Sequence, residues 1–301
     1  MRVKVNGTDI YFDVCGSQLE RGAARLIERP TLVALHGGPG FDHAYLKPGL
    51  DPLADTAQVV YFDLRGQGRS GRPSVESCTL EQMADDVAAL CSLIGIERPV
   101  LFGHSAGGFV ALNLALREPG LAAGLILCAT APTLAPLVDG SPPRTLAERA
   151  GPEAAAIAAR LFAGDMSPAT LEGFGRRVMP YYAGPSHMEV PSDLISLSTF
   201  NAEVAVYFFS VLAPRYDVRS RLSEIGLPTL VLTGAYDWVC SPAASRIMAR
   251  AIPGAELAEL AEVGHFPFAE EPDAFGDAVR PFLRRTAAVG ASSHEKEATN
   301  V

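Results

Sequence analysis

The sequence predicts a doubly wound α/β fold with a mostly parallel sheet and an inserted helical lid. Short apolar runs recur along the chain with helical patterns between them, and most are continuously apolar, as is typical of strands buried on both faces of a parallel sheet. One long stretch lacks such runs, which indicates an insertion. The candidate strands are TLVALHG, AQVVYFDL, PVLFGHS, GLILCAT, PTLVLTG and, more weakly, AELAELAEVG.

The amino-terminal segment MRVKVNGTDIYFDV alternates apolar and polar residues around Asn6 and Gly7, which predicts a β-hairpin. It lacks the apolar core of a signal sequence, so we expect no cleaved leader. No apolar run reaches the ~18 residues of a membrane-spanning helix. The five cysteines are scattered and odd in number, without metal-ligand spacing. We therefore expect a cytoplasmic protein with reduced cysteines and no membrane partner, a disulfide being the less favoured alternative.

The first well-marked helix is TLEQMADDVAALCSLIG, with Thr79 at the N-cap, Gln82 at the capping-box position and Gly95 as its stop. Between residues 132 and 226 the chain reads as helices separated by Pro and Gly, which predicts a lid above the carboxyl ends of the strands. The core then comprises residues 1–131 and 227–285. Residues 286–301 form a small, polar tail for which we predict disorder.

The composition favours a small-molecule or short-peptide substrate. The chain has 301 residues, of which 48% are hydrophobic, and a formal charge of -9. A nucleic-acid partner would call for a basic face, and no cluster of Lys and Arg exists. The glycine-rich GGPG lacks the Lys-Ser/Thr of a phosphate loop, and no metal-ligand pattern occurs, so we expect no cofactor and no metal. The oligomeric state stays open.

The segment GHSAG places Ser105 between a strand and a helix, where G-x-S-x-G forms a sharp turn that exposes a nucleophilic serine. The alternative is a turn serine that caps the helix. A nucleophile needs an acid and a histidine later in the chain. Asp237 follows the strand LPTLVLTG, and His265 lies in a loop before the last helix. Asp139 and Asp273 fit less well, since one lies inside the lid and the other begins a helix.

The segment HGGPG follows the first strongly apolar strand and predicts an oxyanion hole. In sites with this serine turn, one backbone N–H comes from the residue after the serine, here Ala106, and another from an early loop. Because Pro39 has no N–H, Gly38 is the expected early donor. A simple Gly-Pro turn is the alternative.

Together HGGPG, DLRGQGRS, GHSAGG, YDWV and GHFPF resemble the α/β-hydrolase superfamily, and HGGPG resembles its proline iminopeptidase branch of serine peptidases. The resemblance covers about residues 3–283. It implies Ser105 as nucleophile, Asp237 and His265 as its relay, and Gly38 and Ala106 as oxyanion donors. The chain departs from the peptidase pattern at Ala106, where such enzymes usually carry an aromatic residue.

The resemblance also implies an amine-binding glutamate in or near the lid, for which Glu203 in STFNAEVAVYFF is the candidate. A solvated charge on a lid helix is the alternative. Trp238, Phe41 and Tyr207 are candidates for the apolar wall of the pocket, although packing is the commoner role of such residues.

The sequence therefore predicts a cofactor-independent serine hydrolase that forms an acyl-enzyme. An aminopeptidase that releases proline or another small amino-terminal residue is the leading hypothesis, and a carboxylesterase or lactonase the second. A hydrolase that removes an aminoacyl or acyl protecting group from a larger product is a third. A ligand-sensing protein that keeps the fold without catalysis is an alternative of another class.

Overall fold

A computed structural model describes residues 1–21, 26–137, 139–140 and 144–298, with side chains described as far as Thr286. Its strands are β1 (Arg2–Val5), β2 (Thr8–Cys15), β3 (Leu19–Arg21), β4 (Leu26–Glu28), β5 (Thr31–Leu35), β6 (Gln58–Phe62), β7 (Val100–His104), β8 (Gly124–Cys128), β9 (Thr229–Gly234) and β10 (Glu256–Leu260).

Eight strands form one sheet in the order β1-β2-β6-β5-β7-β8-β9-β10, and β3 pairs with β4 separately. Strands β5 to β10 are parallel, whereas β1 and β2 form the predicted antiparallel hairpin at one edge. The predicted fold class is therefore confirmed. Because β5, β7, β8, β9 and β10 run in one direction, the loops after them meet at one edge of the sheet.

The α-helices are α1 (Lys47–Leu50), α2 (Leu80–Leu93), α3 (Ala106–Arg117), α4 (Leu146–Ala150), α5 (Pro152–Phe162), α6 (Pro168–Arg177), α7 (Val190–Ser196), α8 (Ala202–Tyr207), α9 (Pro242–Ala251), α10 (Pro267–Glu270) and α11 (Pro272–Ala298). Helix α2 begins as predicted, because the Thr79 hydroxyl accepts a hydrogen bond from the Gln82 N–H at 3.1 Å.

Alternate residues of the buried strands feed two hydrophobic cores, one on each face of the sheet. Along β5, Val33 and Leu35 pack with helices α2 and α3, whereas Leu32 and Ala34 pack on the other face with helix α11. All five residues of β5 are buried, and those of β7 and β8 are too. This two-sided burial explains why these strands read as continuous apolar runs.

Helices α4 to α8 form the lid between β8 and β9. No sheet strand occurs among its described residues, apart from an isolated bridge between Thr133 and Asp217. Part of the lid has its own small apolar core, which includes Ile157, Leu161 and Phe174. These helices therefore follow the carboxyl end of β8 in the chain and precede β9.

The last helix continues past Arg285 into the segment for which the sequence predicts disorder, and residues 299–301 lie outside the described part of the chain. No helix among the described residues is long and apolar enough to cross a membrane. All five cysteines are free thiols, in line with the sequence-based expectation.

Candidate active site

Ser105 occupies the sharp turn between β7 and α3. Its backbone has φ 51° and ψ -122°, a strained conformation for a residue with a side chain. The turn is tight because a Cβ at Gly103 would lie 2.6 Å from the Gly108 Cα, and a Cβ at Gly107 would meet the Leu35 carbonyl oxygen. The two glycines of GHSAG are thus required by close backbone approach.

Asp237 and His265 come together from the loops after β9 and β10. The His265 Nδ1 lies 2.8 Å from the Asp237 Oδ2. The other carboxylate oxygen accepts hydrogen bonds from the Val239 and Cys240 N–H groups at 2.9 and 3.0 Å. This arrangement keeps the proton on Nδ1 and leaves the Nε2 lone pair available. Asp139, the alternative acid, instead pairs with Arg246.

Glu270 fixes the loop that carries His265. Its buried carboxylate accepts hydrogen bonds from the N–H groups of Gly264 and Phe266, on either side of His265, at 2.8 Å each. A third comes from Gly184 of the lid at 2.7 Å. Burial raises the pKa of Glu270, and the three N–H groups oppose that rise. No motif in the sequence marks Glu270, since an acidic residue beside the start of a helix has many other uses.

Tyr45 and His104 link two loops around the serine. The Tyr45 hydroxyl accepts from the Gly37 N–H at 2.6 Å and lies 2.7 Å from the His104 Nδ1, while the His104 Nε2 lies 2.8 Å from the His265 carbonyl oxygen. Burial, with the nearby His265, lowers the pKa of His104 well below its usual value. The neutral ring therefore accepts from Tyr45 and donates to His265.

Two backbone N–H groups near Ser105 are free to bind an oxyanion. Gly38 has φ 60°, and its N–H has no hydrogen-bond partner among the described residues. The N–H of Ala106, at the first position of helix α3, also has none within the described ranges. Both residues line the same cavity as Ser105. The neighbouring N–H of Gly40 is instead used by the Gln67 side chain, at 2.7 Å.

The DLRGQGRS loop is braced from both sides. Arg65 binds Asp86 through two hydrogen bonds of 2.5 and 2.6 Å.

Asp63 lies beside Asp42 and His43, and the ligand atoms of these three residues are close enough together to hold a metal ion. However, both oxygens of Asp63 already accept hydrogen bonds, from His43 on one and Arg69 on the other, and those of Asp42 accept from Ala44 and Thr199. These three residues therefore hold the loops together and do not fit a metal site.

A cavity of about 850 Å³ opens over Ser105, at the upper end of the range for small-molecule sites. Its walls come from the early loop, the serine turn and the lid, and the predicted wall residue Phe41 is among them. Most of the lining side chains are apolar or aromatic. They include Phe41, Leu161, Phe162, Met166, Phe174, Met179, Ile195, Phe200, Phe208, Phe209 and Phe266.

The other predicted substrate contacts lie elsewhere. Glu203 is exposed in the first turn of α8 and is absent from the cavity wall. The Tyr207 hydroxyl points toward the Glu76 carbonyl oxygen on the outside of the lid, at 3.4 Å. Trp238 packs against Phe162 and Tyr182, and its ring N–H donates to the Tyr181 carbonyl oxygen at 3.0 Å. None of these three side chains is part of the cavity wall. For Glu203 and Tyr207, which lie in α8, the sequence read without the packing does not reveal which face of the helix is buried.

The cavity offers no available carboxylate for a substrate ammonium within the described part of the chain. Asp217 is the single acidic side chain among the described lining residues. The Arg219 guanidinium already binds it, with hydrogen bonds of 2.5 to 3.0 Å to both oxygens. An ammonium would therefore lose water here without gaining a buried partner.

Cys240 lines the same cavity as Ser105. Its thiol shares a hydrogen bond with the Ser105 side chain, and burial followed by the negative charge of Asp237 raises the pKa of the thiol well above its usual value. Cys240 is therefore a neutral, compact neighbour of Ser105 and no competing nucleophile.

Comparisons with known proteins agree with this architecture. The sequence model of the alpha/beta hydrolase fold family matches residues 30–272. Proline iminopeptidase PfmaB of Pestalotiopsis fici is 26% identical over 290 residues, covering 94% of this chain and 99% of that protein. The putative carbamate hydrolase RutD of Rhizobium rhizogenes is 30% identical over 285 residues, covering 91% and 98%. A thermophilic esterase from Thermogutta terrifontis has a TM-score of 0.72 and 29% identity, covering 95% and 99%.

Proposed function

The chain belongs to the α/β-hydrolase family and resembles its proline iminopeptidase branch, and from this premise we propose that it is a serine hydrolase of carboxylic esters with an apolar acyl body, including lactones. Ser105 is the nucleophile, His265 the general base and Asp237 the group that orients His265. The family supports hydrolysis, and the hydrogen bond between Asp237 and His265 supports the assignment of roles.

In the proposed first step, the Ser105 hydroxyl attacks the ester carbonyl as His265 Nε2 removes its proton. The Asp237 carboxylate stabilises the imidazolium that forms. The tetrahedral oxyanion is stabilised by the Gly38 and Ala106 N–H groups, which need no reorganisation because neither is paired with any residue that the structure describes. The imidazolium then protonates the leaving alcohol, and the acyl group stays on Ser105.

In the second step, water enters beside His265, which removes a proton from it as the water attacks the acyl-enzyme. The same two N–H groups stabilise the second oxyanion. Collapse of that intermediate releases the carboxylic acid and returns the proton to Ser105. No step draws on a group from outside the protein and its substrates.

The choice of an ester over an amino-terminal peptide depends on one observation, the apolar wall of the cavity. An aminopeptidase must pair a substrate ammonium with a carboxylate. The candidate Glu203 faces outward, and Asp217 is already bound by Arg219. An apolar acyl body without an ammonium has no such requirement and gains from contact with the aromatic lining.

The peptidase remains the second candidate function, because PfmaB is called a proline iminopeptidase and is similar over nearly the whole chain. The two candidates differ in the charge of the substrate next to the cleaved bond. A matched set of chromogenic substrates separates them: p-nitrophenyl octanoate, octanoyl p-nitroanilide, and the p-nitroanilides of proline and alanine. The octanoyl anilide controls for the lower reactivity of amides.

We expect the protein to hydrolyse the octanoate ester. We also expect it to cleave octanoyl p-nitroanilide faster than prolyl p-nitroanilide. An unpaired ammonium in an apolar site costs a few kcal/mol, which corresponds to a factor of about 100 or more in kcat/KM. Prolyl p-nitroanilide cleaved faster than octanoyl p-nitroanilide would establish the peptidase instead.

A further inference from the structure

Among the residues that the structure describes, the wall of the cavity carries one cation without a protein partner. Arg215, at the end of the short helix Ala213–Arg215, lines the cavity and is exposed to solvent. Its guanidinium makes no hydrogen bond or ion pair with any residue in the described ranges. An arginine has five N–H donors, so this group can bind an anion brought by a ligand.

The neighbouring acid does not neutralise Arg215. Asp217 lines the same cavity, but Arg219 binds both of its oxygens, and this hydrogen bonding holds the pKa of Asp217 below its usual value. The charges of Asp217 and Arg219 therefore offset one another. Among the described lining residues, Arg215 is left as the uncompensated charge.

The backbone beside Arg215 is held in place. Tyr216 is buried, and its hydroxyl donates to the Ala131 carbonyl oxygen at 3.0 Å. Its own carbonyl accepts from the Thr133 hydroxyl at 3.2 Å, and the Val218 N–H donates to the Pro132 carbonyl at 2.9 Å. These hydrogen bonds hold residues 216–218, at the end of the lid, against residues 131–133, at its beginning. Arg215 thus extends from a fixed point while its charged end remains available.

We infer that the substrate is an amphiphile, with an apolar acyl body and a carboxylate in addition to the ester, and that Arg215 binds this carboxylate. The inference rests on the proposed ester hydrolysis and specifies the substrate class. The apolar lining takes the acyl body, and the planar guanidinium matches a carboxylate with two parallel hydrogen bonds. A substrate ammonium would be repelled by the same group.

The size of the effect follows from the exposure of Arg215. Solvent screens an exposed ion pair, so removal of the charge should weaken recognition about 2- to 5-fold. The preference should shrink as salt is added, because the Debye length falls from about 10 Å at 0.1 M to about 3 Å at 1 M.

The first test compares mono-p-nitrophenyl suberate, which ends in a carboxylate, with p-nitrophenyl octanoate, which ends in a methyl group. The proteins are the wild type, Arg215→Gln and the control Arg221→Gln. Arg221 is also exposed, but it pairs with Glu224 at 2.8 Å and lies outside the cavity wall. We expect the ratio of kcat/KM for suberate over octanoate to fall about 2- to 5-fold in Arg215→Gln alone. An equal ratio in all three proteins overturns the inference.

The second test needs no turnover. Calorimetry measures the affinity of Ser105→Ala for monomethyl suberate, an anion, and dimethyl suberate, with and without Arg215→Gln. Arg215→Gln should weaken the binding of the monoester about 2- to 5-fold and leave the affinity for the diester unchanged. If the wild type cleaves no ester but this preference is found, the proposed function fails and the recognition of a carboxylate by Arg215 stands. If the ratio of the affinities for the monoester and the diester is the same with and without Arg215→Gln, the inference is wrong, even if the protein is an active esterase.

Discussion

Tyr45 holds two loops of the site through a single hydroxyl. That hydroxyl accepts from Gly37, next to the proposed oxyanion donor, and donates to His104, whose ring in turn holds the His265 carbonyl. All four residues are buried or belong to the loops around Ser105. Small displacements of such loops lower kcat, because the oxyanion donors act only in correct geometry.

We therefore predict that Tyr45→Phe lowers kcat about 10-fold for p-nitrophenyl octanoate and changes KM little. The variant leaves the buried Gly37 N–H and the His104 Nδ1 without partners, at a cost of about 1 to 3 kcal/mol. Steady-state kinetics measures the split between kcat and KM.

The matched control for Tyr45→Phe is Tyr61→Phe. Tyr61 is equally buried, and its hydroxyl donates to Asp51 at 2.6 Å, away from the cavity wall. Tyr61→Phe should lower the free energy of unfolding, measured in urea, by about as much as Tyr45→Phe does, and should leave kcat unchanged. Equal losses of kcat in the two variants would reduce Tyr45 to a structural residue.

At the level of elements, residues 199–201 of the lid contact the loop that follows β5 and carries Gly38. The Thr199 N–H and hydroxyl both donate to Asp42 Oδ2 at 2.8 Å, and the Asn201 N–H donates to the Gly40 carbonyl at 2.8 Å. The ring of Phe200, between them, packs on Phe41 at 4.8 Å between centroids. This segment therefore couples the position of the lid wall to that of the loop that carries Gly38.

Thr199→Val removes the hydroxyl and keeps the shape of the side chain. We predict faster amide exchange across residues 197–207 and a loss of about 2- to 5-fold in kcat/KM for the octanoate ester, since one hydrogen bond contributes about 1 kcal/mol. Hydrogen exchange read by mass spectrometry measures the first effect.

Thr170→Val is the control, because the Thr170 hydroxyl also donates to an aspartate, Asp165, at 2.6 Å, but both residues lie in the lid. Activity should persist in this variant. If Thr199→Val leaves exchange and turnover as in the wild type, the lid is held by other contacts.

The elements that the sequence predicts best are those with a strong local signal. For β5 and β7 this signal is the continuous apolar run of a strand buried on both faces, for helix α2 it is the N-cap, and for the turn at Ser105 it is the flanking glycines. The lid is different, because its helices are short and pack partly on one another. Which face of α8 meets the cavity depends on that packing, so Glu203 could not be placed from sequence.

The same limit applies within the site. Asp237 and His265 follow strands and could be predicted from chain order, and the structure brings them to 2.8 Å. Tyr45 and Glu270 act through contacts with residues distant in the chain, and Arg215 reaches the cavity wall only once the lid is folded. No motif contains these three residues. Their importance is visible once the loops at the carboxyl edge of the sheet are brought together.

For the whole molecule, the proposed function needs a strained serine and a histidine held by several hydrogen bonds, and both residues line one apolar cavity. A ligand-sensing protein on the same fold would need the cavity but not the hydrogen bond between Asp237 and His265. Nor would it need the N–H groups of Gly38 and Ala106, which have no partner in the described part of the chain. Reactivity of Ser105 therefore separates an enzyme from a sensor more directly than affinity for any ligand.

The most direct measurement is labelling of the purified protein with a fluorophosphonate, followed by mass spectrometry of the intact chain and its peptides. If Ser105 is the nucleophile, we expect one label per chain, on the peptide that contains Ser105. The label should be absent in Ser105→Ala and form much more slowly in His265→Gln, while both variants stay folded by circular dichroism. A folded wild-type protein that takes no label, or that carries the label on another residue, would contradict this assignment.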